Sequence, residues 1–284
     1  MAEAARIKVT EESDLRTPKD KSCLLRTLGK YLDLCAVDRS QTVLVLGGEQ
    51  EDLDILTACG FENIALSNLS PAGLALDAES IDLKDASYTT VFAHAVLHHC
   101  RSPHKALGEM LRVAQRTVIF VEPNDSVALR LLVRLGFSFP YELAAVVGHD
   151  YVHGGMRDGP IPNYIYRWTE REVEKCAASY QPELRCKVHA HPYWDFYVNE
   201  YELLSRKETR VAALAQAIGA RNFIKILHLA QAALNVLLPL RTQGNKFFCA
   251  IEKKGLVPWV EFRDGSIALK RLGDGVMSGK TGIP

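Results

Sequence analysis

The chain has 284 residues, 48% of them apolar and 24% charged, which fits a globular protein and excludes a disordered one. Lys plus Arg number 34 and Asp plus Glu also 34, so the zero net charge gives no electrostatic reason for nucleic acid or an anionic membrane as partner. The seven cysteines are scattered, none with C-x-x-C spacing, which predicts reduced thiols and a cytoplasmic protein rather than a zinc or redox pair.

In chain order, the first residues run from Met1 to Glu11-Glu12-Ser13-Asp14 without the apolar core of a signal peptide. A helix is predicted near Lys21 to Leu34, within an N-terminal helical segment 1–40. Val43-Leu44-Val45-Leu46 is a short apolar run ending at Gly47-Gly48, the mark of a strand buried on both faces. Helical spacing follows from Asp52 to Cys59, then strands at Ile64–Leu66 and Thr90–Ala93, a helix at Pro103–Ala114 and a strand at Thr117–Val121. Buried strands alternating with helices predict a parallel sheet covered on both faces, with ligands collecting at the carboxyl ends of the strands. The loops at those ends are Gly47-Gly48, Ser67-Asn68, His94 to His99 and Glu122 to Asp125.

Further on, Val127 to Leu135 reads as a helix and His149 to Pro162 as a long Gly-, His- and Pro-rich loop, a length typical of lids and binding segments. Thr169 and Glu172 form a capping box opening a helix. Strands are predicted at Leu184–His191 and Lys246–Lys253, with two helical stretches between them, Tyr197 to Ile218 and Asn222 to Leu238. The outcome is a domain over 41–255 with a helical insertion at 197–240, and an unassigned tail at 256–284. The apolar stretch Val211 to Leu240 is broken by Arg221, Lys225 and His228, which argues against a membrane span. Its wide stripe needs cover: the domain, a homodimer partner, a membrane or an apolar acceptor, with Gly219 and Gly244 as hinges if the hairpin is a lid.

Several linked motifs carry a resemblance: Asp77-Ala78-Glu79, Asp85-Ala86-Ser87-Tyr88, Val96-Leu97-His98-His99, the helix ending Leu111-Arg112-Val113, and Val121-Glu122-Pro123-Asn124. In this order they resemble a class I S-adenosylmethionine-dependent methyltransferase of the type 11 group. The resemblance implies a Rossmann-like, seven-stranded α/β sheet with helices on both faces and a helical insertion before the last strand. It also implies S-adenosylmethionine as cofactor, held by Gly47, Gly48, Glu49, Asn68, Leu69, Asp77, Ala78 and His94. Where the family commonly has an acidic residue in the first strand and then Gly-x-Gly-x-Gly, this chain has Val45 and Gly47-Gly48-Glu49. Where it has a ribose-binding carboxylate, this chain has Asn68. The span from Ser70 to Asp77 is short for the usual crossover helix and third strand.

An acceptor hydroxyl must lose its proton as it is methylated, and a neutral imidazole suits that task. His99 is the expected base, with His98 the alternate, and Glu122 either orients that imidazole or is a surface carboxylate. Tyr164, Tyr166, Trp168 and His153 are expected to contact the acceptor. His149 and His153 have His-x-x-x-His spacing, but the glycines around them argue against a shared helix face, so no metal is expected. The expected activity is O-methylation of a small, secondary-metabolite-like molecule; the alternatives are a non-catalytic binding or scaffolding protein and a methyltransferase acting on a membrane-associated lipid.

Overall fold

The computed structural model describes residues 18–68, 75–196 and 210–270. Helix α1 (Pro18–Leu34) leads into strand β1 (Thr42–Leu46), helix α2 (Gln50–Ala58) and strand β2 (Asn63–Ser67). Strand β3 (Tyr88–His94) is followed by a 3₁₀ turn at Leu97–His99, helix α3 (Pro103–Val113) and strand β4 (Ala114–Pro123). Next come helices α4 (Val127–Arg134), α5 (Leu143–Gly148) and α6 (Glu170–Tyr180), then strand β5 (Leu184–Tyr193). Helices α7 (Arg210–Ile218), α8 (Ala220–Val236) and α9 (Leu238–Arg241) precede β6 (Lys246–Leu256) and the hairpin β7 (Val260–Arg263) and β8 (Ser266–Leu269).

One mixed sheet has the order β2-β1-β3-β4-β6-β5, with the first four strands parallel and β6 antiparallel to both neighbours. This is the expected Rossmann-like fold with six strands among the described residues rather than seven. The difference falls between Ser67 and Tyr88, where the described residues make only the isolated bridge Asp77–Ser80. The tail carries the separate hairpin β7–β8.

Strand parity divides the core. Leu44 and Leu46 face one layer with Val91, Phe120, Leu107 and Trp168. Val43 and Val45 face the other, with Leu28, Tyr31 and Leu32 of α1 and Ile55 and Leu56 of α2. Helix α1 is thereby part of the same packed body as the sheet. Burying each large aliphatic side chain contributes roughly 1.5–3 kcal/mol, which is why so short a strand as β1 is well specified.

Local chemistry fixes the ends of these elements. Gly47 turns the chain after β1 at φ +59°, and a Cβ there would meet Val96 at 2.7 Å. Arg112 ties α3 to the loop before β3, donating to the Ile81 and Leu83 carbonyls and pairing with Glu109 and Asp85. Thr169 caps α6 by accepting from the Glu172 amide at 3.2 Å. The reciprocal half of the expected capping box is missing, because the Glu172 carboxylate turns to the Tyr166 hydroxyl and to His104.

The expected helix from Tyr197 is seen from Arg210 onward; 197–209 lie outside the described residues. Helix α8 has no buried residue, and its end is pinned by a reciprocal pair between Asn235 and the Trp194 backbone, 2.8 Å each way. Gly244 is not a free hinge, because a Cβ would lie 2.2 Å from the Tyr193 backbone. Hydrogen exchange is expected to be fast in the first half of α8 and slow in β4. Equal protection of the two would show that α8 is covered in solution.

Candidate active site

The site grows from the carboxyl ends of β3 and β4. Glu122, the penultimate residue of β4, is completely buried. One of its oxygens accepts from the amides of Val96 (2.8 Å) and Leu97 (2.7 Å), and the other from His98 Nδ1 at 2.6 Å. A carboxylate at this depth persists only with such donors, so Glu122 holds the turn that carries the two histidines. It is not a surface carboxylate, and the imidazole that it orients is that of His98 rather than the expected base His99.

His98 is also buried, and its Nε2 donates to Glu142 Oε2 at 3.1 Å. Carboxylates only accept, so both ring nitrogens carry protons and His98 is an imidazolium. Burial alone would lower its pKa, but Glu122 and Glu142 outweigh that and raise it to about 9. Burial alone would raise Glu142, yet its bond to His98 and the nearby charge hold it at about 2. His98 has no lone pair to offer, which corrects the expectation of it as alternate base.

His99 differs. Its Nδ1 faces the Gly155 carbonyl at 3.2 Å and its Nε2 lies 3.5 Å from Glu142 Oε2; the closer contact places the proton of the neutral ring on Nδ1 and leaves the Nε2 lone pair beside the carboxylate. Burial first, and then the positive His98, lower the pKa of His99 below its usual value. The two rings lie 4.5 Å apart, and adjacency to a fixed cation keeps the second imidazole neutral. Asn163, also buried, donates to the His98 carbonyl at 3.1 Å and lies 3.4 Å from Glu142 Oε2.

The long loop reaches both halves of this region. Gly155 fits where it is because a Cβ would lie 2.1 Å from the Ile161 carbonyl oxygen. Two residues on, Arg157 pairs with Asp77 and lies 3.6 Å from Glu79. Glu79 itself accepts from the amides of Arg101 (3.2 Å) and Ser102 (2.9 Å), where α3 begins. Asp77 Oδ1 accepts from the Glu79 amide at 2.9 Å.

Residues 23–121 match the methyltransferase domain family. The matched stretch, about a third of the chain, is thus similar to the methyltransferase domain that the sequence motifs resemble. No curated protein matches the chain. Among solved structures, the domain is similar to the YcgJ protein of Bacillus subtilis, at 13% identity and a TM-score of 0.46, covering 82% of this chain and 99% of that one. It is similar to an S-adenosylmethionine-dependent methyltransferase of Archaeoglobus fulgidus, at 10% and 0.44, covering 82% and 94%. It is also similar to magnesium protoporphyrin IX methyltransferase of Synechocystis, solved with S-adenosylhomocysteine, at 15% and 0.39, covering 60% and 76%. Identities this low carry no substrate across.

The other residues expected at the cofactor lie at or near the strand ends. Asn68, just past β2, is half-buried and makes no side-chain hydrogen bond among the described residues. Asp77 is held by the Glu79 amide and by Arg157, and Ala78 packs beside it on the core. Glu49 precedes α2, its amide donating to Asp52 Oδ2 at 3.0 Å, and Asp52 Oδ1 lies 3.0 Å from His94 Nδ1. At Gly48 a Cβ would meet Val45 at 2.7 Å and Leu66 at 2.9 Å, so packing between β1 and β2 favours glycine there. Leu69 lies outside the described residues.

The expected acceptor contacts divide. Tyr164 is exposed, edge-on to Tyr141, and Tyr166 is half-buried. Trp168 is completely buried against Phe120, His104 and Tyr166, so it is a core residue and not a wall that a ligand touches. His153 is exposed, with Nδ1 facing the Asp158 carbonyl at 3.3 Å. His149 Nδ1 is held by the Ala145 carbonyl at 2.7 Å. Among the described residues, one set of three side chains with metal-ligand chemistry lies within 4.8 Å: His98, His99 and Glu142. The His98 Nε2 proton sits between two of these atoms, so the set is a proton network.

A raised histidine pKa stabilises the fold fully below the unfolded value near 6.5, and that stability is lost as pH climbs through about 9. The unfolding free energy is therefore expected to fall by about 3 kcal/mol between those limits, at 1.36 kcal/mol per pH unit. Urea titrations at a series of pH values check it; a flat profile through this window would mean that His98 is not held between two carboxylates.

Proposed function

We propose that the protein transfers the methyl group of S-adenosylmethionine to a hydroxyl of a small organic acceptor. When bound, the cofactor supplies a methyl group activated by a sulfonium. His99 takes the acceptor proton at Nε2, His98 keeps His99 neutral by its charge, and Glu122 and Glu142 hold His98 in place. The observation that supports this reading is the unlike surroundings of one histidine pair, His98 held between two carboxylates and His99 bonded to a backbone carbonyl with its Nε2 3.5 Å from Glu142. Incubating the protein with methyl-labelled S-adenosylmethionine and a small-molecule extract, and reading the product by mass spectrometry, tests it. Label on an oxygen supports the reading; label only on nitrogen or carbon, or nowhere, counts against it.

Asp77 is assigned to the adenine end. Asp77→Ala is expected to weaken S-adenosylhomocysteine binding roughly ten- to a hundredfold, the worth of one hydrogen bond to a charged group, with the fold intact. Unchanged affinity in calorimetry would remove Asp77 from the site.

A second reading has one observation in its favour. Asp77 is already engaged by Arg157, as in a methyltransferase fold kept for binding or scaffolding alone. Native purification followed by mass spectrometry of bound small molecules separates the two readings, since S-adenosylhomocysteine would be carried only by the first.

A further inference from the structure

A cleft of about 420 Å³ opens beside the carboxyl end of β4, between α4 and the segment around Tyr164–Arg167. Three arginines line it: Arg130 and Arg134, one turn apart on α4, and Arg167 from the segment leading into α6. Tyr164 and Tyr166 supply aromatic surface. We propose that this cleft binds the phosphoryl group of the methyl acceptor, with Arg130, Arg134 and Arg167 as its ligands.

The charges in the cleft support a missing anion. Two carboxylates also line it, Asp125 and Glu172. Glu172 is taken up by the Tyr166 hydroxyl and by His104 at 3.0 Å. Asp125 lies 3.8 Å from Arg130, a loose pair. Arg134 has no side-chain partner among the described residues. Arg167 donates to the carbonyls of Ile165 (3.3 Å) and Phe139 (2.9 Å), yet its Nε is buried with no hydrogen-bond partner. A buried guanidinium N–H without an acceptor is costly, and three planar forks at one cleft match the oxygens of a phosphate better than any neutral ligand.

The phosphoryl group has two sources, a soluble phosphate ester or the headgroup of a lipid. The exposed apolar residues Val127 and Leu131 on α4 and Leu135 at its C-cap recur every four residues, next to the two arginines, and would suit an acyl or prenyl chain. In calling the ligand an acceptor this inference rests on the methyl-transfer reading. Phosphate binding itself needs neither cofactor nor turnover, so the two fail separately.

Calorimetric titration with phenyl phosphate, with phenol as control, tests the cleft on the full chain. The expected result is saturable binding of phenyl phosphate alone, weakened about tenfold or more in Arg134→Gln and in Arg167→Gln. Arg134 is exposed, so Arg134→Gln keeps the test valid if Arg167→Gln melts early. Co-sedimentation with phosphatidylcholine vesicles, with and without phosphatidic acid, distinguishes the sources. Retention on phosphatidic acid that Arg134→Gln abolishes assigns a lipid; binding of phenyl phosphate without retention assigns a soluble ester. No saturable binding of phenyl phosphate, or affinity unchanged in both variants, overturns the proposal.

Discussion

Glu122→Ala is expected to cost about 3–5 kcal/mol, the range for removing one partner of a buried ion pair. Glu122 is fully buried and accepts from two backbone amides and one imidazolium. Alanine would leave all three donors in a dry pocket and leave His98 without its closest counter-charge. Glu122→Gln keeps an oxygen acceptor and should fall between wild type and alanine. Urea unfolding midpoints check both. A loss below about 1 kcal/mol for alanine would mean that water reaches the pocket and that the turn at Leu97–His99 is held by something else.

His99→Ala has the other large effect, on rate and not on stability. Removing a general base typically lowers turnover by roughly 10²–10⁴-fold. His99 is half-buried, with a 3.2 Å contact to the Gly155 carbonyl and a longer one of 3.5 Å to Glu142, so thermal stability and S-adenosylhomocysteine affinity should stay close to wild type. His98→Ala should do the reverse first, lowering stability by breaking the Glu122–His98–Glu142 chain. Since the pKa of His99 lies below its usual value, turnover should be flat through neutral pH and fall only on the acid side. Turnover that rises steadily from pH 7 to 9, or a His99→Ala variant that melts like His98→Ala, would contradict the assignment of the base.

The sheet was legible because β1 to β4 are runs of apolar residues bounded by Gly, Asn or Pro, and buried parallel strands admit little else. The histidine pair and Glu122 were legible because they sit directly at strand ends, where the fold collects its ligands. Glu142, Gly155 and Asn163 were not. They join the pair from 44 to 65 residues away, within irregular chain, and a lone Glu, Gly or Asn there has no periodic neighbour to mark it. Trp168 misled for a related reason: an aromatic residue beside Tyr164 and Tyr166 reads the same whether it lines a wall or fills the core. The Arg157–Asp77 pair joins residues 80 apart in the chain, a distance over which sequence pattern carries no contact information.

Calorimetric titration of the wild-type protein with S-adenosylhomocysteine tests the central claim most directly. Saturable binding at one site per chain is expected, because Asn68, Asp77 and the β3 end keep polar groups for the cofactor despite the altered glycine loop. No binding at millimolar ligand would contradict methyl transfer and leave the methyltransferase fold with a binding or scaffolding role.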